Sequence, residues 1–259
     1  MRRNAEDTSK EMAKFVLVLA AGTVLGIGIS AVAFPHGVEP PAAISMQALP
    51  PDFSTVITRI PVLAVKSSDN TGIVTFASVE IRPGKGRVLI NTNPFVEPDT
   101  QYSAETAVKI AQEYTKKSIN QKDVILTFEA ETQLVGGPSA GAAMTIAAIA
   151  AIQNKTLPAD VAMTGTVEED GSVGQVGGVL EKAEAAAEAG IRLFLVPRGE
   201  ARLRYYEAQT VQRRMGAFVV QETRYVPKTL DLVAYMEEKY GMEVREVADI
   251  REAAGAFGL

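Results

Sequence analysis

The chain has 259 residues, 47% of them hydrophobic, and a net charge of -5, so one good core is expected, with at most a small appendage. No basic stripe recurs, which argues against a nucleic-acid partner, and the absence of cysteine excludes a thiol nucleophile and disulfides. With His36 as the single histidine, any metal site would have to be built from carboxylates alone, and neither a metal nor a cofactor is expected.

Residues 1–14 are basic at Arg2, Arg3, Lys10 and Lys14, and they precede an uncharged run of 20 residues, FVLVLAAGTVLGIGISAVAF, at 15–34. At about 1.5 Å per residue such a run crosses a hydrocarbon core of about 30 Å as one transmembrane helix. The next basic residue after it, His36 apart, is Arg59. This asymmetry puts the N-terminus in the cytoplasm and everything after Phe34 outside, as a single-pass protein of the cell membrane. Ala31-Val32-Ala33 also fits a small-residue cleavage site, and cleavage after Ala33 would give a secreted protein. The run is longer than a usual signal core, which favours the uncleaved anchor. Residues 35–53, with Pro40, Pro41, Pro50 and Pro51, read as an extended linker that carries no site.

Residues 54–259 read as one α/β (α+β) domain. Alternating apolar residues predict strands in VITRIPVLAV, TGIVTFASVEIRP and RVLINTN, paired as hairpins with GKG as a turn. The period then changes, and Tyr102 to Ile119 is a half-buried helix with Ala107, Ile110, Ala111 and Tyr114 on one face. Lys109 on the other face has Glu105 four residues before it, a solvated pair. Val124 to Glu129 is a short strand. DVAMTGTV is another, turning at Glu169-Asp170-Gly171 into SVGQV. IRLFLVP is a strand, Arg202 to Met215 a charged helix whose arginines face solvent, and AFVVQET a strand. The helix Leu230 to Lys239, the strand MEVREV and a short final helix complete a mixed sheet packed by helices.

Between these elements lies VGGPSAGAAMTIAAIAAI, residues 135–152, a glycine-bracketed serine running into an alanine-rich apolar segment. The segment reads as a buried helix with Ser139 at its entrance. A helix start leaves N–H groups unpaired and partly positive, so an oxyanion formed at Ser139 could be held by the loop Gly137, Pro138 and Ala140. GPSAG fits the nucleophile elbow of the α/β-hydrolases, but their triad needs a histidine after the serine, and His36 lies before it. A phosphate-cradling loop would need a following Lys-Ser/Thr, which is missing. The plainest alternative is a serine that caps a core helix.

A lysine 43 residues downstream points away from that alternative. In the predicted helix VLEKAEAAAEA, residues 179–189, Glu181, Glu184 and Glu188 project to one side, while Lys182 projects toward Val179, Ala185, Ala186 and Ala189. No carboxylate stands three or four residues from it. Either its stem crosses small residues and its amine reaches water, or the amine is desolvated and loses affinity for its proton.

GGPSAGAAM resembles the nucleophile loop of the proteolytic domain of the Lon protease family, and ADVAMTGTVEEDGSVGQVGGVLEKAEAAAEAGIRLFLVP resembles the block that carries its lysine. The resemblance is specific over Ala130 to Pro197 and weaker from Thr71 to Gln121. It implies a Lon-type fold, here in an archaeal-type membrane-anchored form, and a serine endopeptidase with a Ser-Lys dyad. Ser139 would be the nucleophile, Lys182 the general base and then acid, and Thr164 an accessory residue near the lysine. Six-membered rings are implied by the same resemblance. Many ATP-driven members carry an acidic residue where Gly136 stands and a glutamate where Thr166 stands, so carboxylate support for the lysine is not carried over from those positions. With no ATPase module in front of the serine loop, the expected activity is ATP-independent and the expected substrates are peptides or unfolded proteins. An inactive binding module of the same fold, and a small-molecule phosphotransferase using the Gly-Ser loop, are the rival readings.

Overall fold

The computed structural model describes residues 56–92, 95–129, 134–215 and 218–259. The expected membrane run at 15–34 and the linker lie outside the described residues, and no described helix is long and apolar enough to cross a membrane.

Strands β1 (Val56–Val65) and β2 (Gly72–Pro83) form the expected antiparallel hairpin. The expected second hairpin does not form. β3 (Val88–Asn91) pairs in parallel with β5 (Lys122–Phe128), and β5 lies between β2 and β3, giving the order β1-β2-β5-β3. The reason lies in the GKG segment. The Asp123 carboxylate accepts from the Lys85 and Arg87 backbone N–H groups at 2.8 and 3.0 Å and from the Arg87 guanidinium, tying the segment to the start of β5. The side-chain bond from Arg87 is the main cause holding the Asp123 carboxyl well below the usual carboxylate range.

A short pair, β4 (Phe95–Val96) with β6 (Leu134–Val135), flanks helix α1 (Pro98–Thr115), which begins and ends earlier than Tyr102 to Ile119. Pro98 fixes the φ of the first turn and forfeits only an N–H that has no intrahelical partner, so the helix starts there. Lys109 pairs at 3.1 Å with Glu169, not with Glu105. Helix α2 (Gly141–Gln153) follows the serine and is buried from Gly141 to Ala151. Its alanines let α1, β1 and β2 approach closely, and Met144, Ile146 and Ile149 fill the main core between them.

The run DVAMTGTV breaks in two. β7 (Val161–Met163) joins a parallel sheet, and β8 (Thr166–Val167) turns back on β9 (Val173–Gly174). The break falls where the Gly165 N–H leaves the strand ladder to bond the Ser139 carbonyl at 3.0 Å. Helix α3 (Val179–Glu188) and β10 (Leu193–Pro197) follow as expected.

Arg202 to Met215 is not a helix. It is strand β11, paired along its whole length with β12 (Phe218–Asp231) in a two-stranded arm. Both faces of the arm are largely exposed, so no burial imposes the alternation that marks a strand, while Tyr205, Tyr206, Thr210 and Val211 suit an extended backbone. Helix α4 (Leu232–Tyr240), β13 (Glu243–Val247) and α5 (Ile250–Ala256) end the chain, with strand order β13-β10-β7 in the parallel sheet.

Candidate active site

Ser139 lies in a single 3-10 turn, Pro138–Ala140, immediately before α2. Gly137 opens the turn at φ 88, a conformation that penalises any side chain. At Gly136 the Glu97 carboxylate lies against the backbone, 2.1 Å from where a Cβ would stand, so any side chain there would have to displace Glu97. Helix α1 holds the loop from one side. The buried hydroxyls of Thr100 and Ser103 donate to the carbonyls of Gly137 and Pro138, each at 3.4 Å. Sequence reasoning missed Glu97, Thr100 and Ser103, because their only local signal is a polar helix start.

Two N–H groups at the start of α2 are engaged. Gly141 donates to the Pro138 carbonyl and Ala142 to the Gly165 carbonyl. Pro138 itself has no N–H, so of the predicted loop only Gly137 and Ala140 could donate, together with Ser139. A phosphate cradle needs a longer row of free amides than this.

Lys182 comes from the first turns of α3. Helix α3 lies so close to β2 that a Cβ on Gly72 would stand 1.9 Å from the Glu181 carbonyl oxygen. Its face meets the second apolar cluster, where Val179, Ala183 and Ala186 pack with Leu63, Phe194 and Met236. Lys182 is 3% exposed. The amine therefore does not reach out to water. Desolvation is the largest influence on it and pushes its pKa below the ordinary lysine value, while the charges of Glu200 and Glu181 push it back up.

Thr164, 1% exposed at the end of β7, joins the two elements. Lys182 Nζ donates to Thr164 Oγ1 at 3.3 Å, and Thr164 Oγ1 donates to the Ser139 carbonyl at 3.3 Å. Thus the amine rests on the threonine, and the threonine on the backbone of the serine. Ser139 and Lys182 both line one cavity of about 670 Å³ with Gly136, Gly137 and Gly178. On its other side, Ser139 borders a second cavity of about 560 Å³ whose apolar walls include Leu63, Ile73 and Phe128. The two share Ala64, Val65, Gly136, Gly137 and Ser139, so Ser139 lies on a surface continuous in both directions. Of the predicted residues, Ser139, Lys182, Gly137 and Pro138 line the first cavity and Ala140 the second, while Thr164 lies buried beneath them.

Ser139 and Lys182 share one cavity, and among the described groups the amine meets Thr164 and not the serine hydroxyl; a serine and a buried amine with a lowered pKa in one cleft is a constellation of the nucleophile-and-base type. Residues 81–229 match the family described as the Lon protease (S16) C-terminal proteolytic domain, and the chain belongs to that family. The match begins ten residues after Thr71, the start of the weaker resemblance, and runs past Pro197 into the β11–β12 arm. The chain is 35% identical over 132 residues to the Lon protease of Phenylobacterium zucineum, a match covering 49% of this chain and 16% of that protein. Against the archaeal Lon protease of Archaeoglobus fulgidus it is 31% identical over 146 residues, 55% of this chain and 23% of that one. Against the archaeal Lon protease of Thermococcus kodakarensis it is 26% identical over 207 residues, 78% and 31% respectively. The chain therefore spans less than a third of the length of these relatives.

Proposed function

We propose that the chain is an ATP-independent serine endopeptidase that cleaves peptides or unfolded proteins with Ser139 and Lys182. The observation that carries this reading is the buried Lys182 amine, linked through Thr164 to the backbone of Ser139 inside one cleft. Neutral Lys182 takes the proton of Ser139 as Oγ attacks the scissile carbonyl carbon. The carbonyl oxygen becomes an oxyanion, held by backbone N–H groups between Gly137 and Ala140. The Lys182 ammonium then gives its proton to the departing amine as the C–N bond breaks, which leaves an acyl-enzyme. Water, activated by the same amine, hydrolyses it. Thr164 keeps the amine directed toward the serine.

Family membership supports the peptidase class, and the apolar cavity beside Ser139 supports an extended apolar segment as substrate. ATP independence is proposed because every step written above uses only Ser139, Lys182, backbone N–H groups and water, with no nucleotide. Incubated with a mixed peptide library, the protein is expected to cleave at the same rate with and without ATP and to leave a stably folded protein intact. Degradation of a folded protein that requires ATP would overturn this part of the reading. A homo-oligomer, a hexamer by family resemblance, is proposed as the assembly.

The uncharged run at 15–34 and the charges before it support a membrane anchor with the catalytic domain outside. Protease added to intact spheroplasts is expected to digest the C-terminal domain. Protection of that domain until the membrane is permeabilised would reverse the orientation.

A further inference from the structure

The parallel sheet brings an acidic group to the end at which Thr164 stands. β7 and β10 are parallel neighbours, and Thr164 at the end of β7 bonds through its N–H to the Leu195 carbonyl at 3.1 Å. Beyond the end of β10, the chain turns at Pro197, whose carbonyl accepts from the Glu200 N–H at 3.1 Å. Glu200 therefore emerges at the same end of the sheet as Thr164, the threonine on which Lys182 rests.

Glu200 is an unusual carboxylate for a turn. It is 9% exposed, and one oxygen, Oε1, accepts from the Val176 N–H at 2.9 Å. Val176 is part of the cleft wall that also contains Gly177, Gly178 and Lys182. The other oxygen, Oε2, is buried and has no hydrogen-bond partner, alone in this among the described side chains. Glu200 also borders a cavity of about 720 Å³ with Gln175, Gly199 and Arg202, so the Val176 bond is what fixes the carboxylate against the cleft wall.

Resting on the Ser139–Lys182 reading, we infer that Glu200 is a positioning residue for Lys182, whose carboxylate stabilises the ammonium formed when Ser139 gives up its proton. The coupling is through space and reciprocal. Glu200 holds the Lys182 proton more tightly than burial alone would allow, and Lys182 favours the ionised form of Glu200 against the desolvation that raises its pKa. Among the described residues the charged groups coupled to Lys182 are Glu200, from the turn after β10, and Glu181, from its own helix. Of the two, Glu200 is the one held by a backbone bond, to Val176 in the wall of the cleft that Lys182 lines. A base that is too strongly desolvated stays neutral but accepts a proton poorly. Glu200 offsets that weakness at the moment the charge appears.

The test is the pH dependence of kcat/KM for Glu200→Gln and Glu200→Asp beside the wild type, with thermal melts of each. Gln keeps the acceptor for Val176 and removes the charge. Its acid limb is expected to move to lower pH by about one unit, the lower end of what a nearby opposite charge supplies, with a severalfold lower plateau. Asp keeps the charge one methylene further back, and its limb is expected to move less in the same direction. Should the Gln variant fail to melt cooperatively, the Asp variant decides alone, a downward limb supporting the inference and an unmoved one overturning it. Limbs that coincide with the wild type in both variants, with only the plateau or the melting temperature lowered, would make Glu200 a structural contact. If the wild type shows no Ser139-dependent hydrolysis at all, the peptidase reading itself falls and this inference with it.

Discussion

Ser139→Ala is expected to lower peptide hydrolysis by about 10⁴-fold or more, because it removes the atom that forms the acyl-enzyme and leaves only binding and the oxyanion donors. The fold should be unaffected. Ser139 Oγ makes no hydrogen bond among the described groups, and its loop is held instead through carbonyls, by Thr100, Ser103, Thr164 and Gly165. An unchanged melting temperature with lost turnover is the expected pair of results, read by circular dichroism and by release of a fluorescent leaving group. Retention of near-wild-type turnover would move the nucleophile elsewhere.

Lys182→Arg is expected to be as damaging, for a reason that the pH profile exposes. An ordinary lysine, with a pKa of about 10.4, is only about 0.04% neutral at pH 7 and makes a poor base. Burial lowers the Lys182 pKa, so the neutral fraction at a given pH is larger, and kcat/KM of the wild type is expected to rise with pH and level off at a lower pH than an ordinary lysine would give. Arginine keeps the positive charge but does not become neutral in this range, so the variant should lack the rise as well as the activity. A buried arginine could also disturb packing. Lys182→Met separates the two effects, since it fills the same space without a charge to desolvate. It is expected to be inactive and to unfold cooperatively, any fall in melting temperature reflecting the Glu200 carboxylate it leaves without an opposite charge. A Lys182→Arg enzyme with the wild-type rate would leave the amine without a role.

That Ser139 and Lys182 stand out from their neighbours was legible, because each carries its signal within a few positions, and the structure sets both on one cavity. Ser139 is bracketed by glycines ahead of an uninterrupted apolar helix. Lys182 alone among the charges of its helix projects onto the alanine face. The groups that hold them were not legible, since Thr100, Ser103, Glu97 and Glu200 reach the site through tertiary contacts across tens of residues. The same distinction applies to the fold. The β1–β2 hairpin is a local pairing and follows from alternation, whereas the insertion of β5 between β2 and β3 depends on Asp123 receiving the backbone of Lys85 and Arg87. The β11–β12 arm buries neither face, so its polar residues show neither period, and the charges that suit a solvated helix suit an exposed ribbon equally.

Labelling with a serine-directed phosphonate tests the dyad most directly, because only an activated serine reacts and no substrate need be known. Mass spectrometry of the wild-type protein is expected to show one adduct, mapped to Ser139, forming faster as pH rises. Ser139→Ala should give none, and Lys182→Arg should form it slower by orders of magnitude. An unlabelled wild-type protein, an adduct on another residue, or labelling of Lys182→Arg at the wild-type rate would contradict a Ser139–Lys182 peptidase.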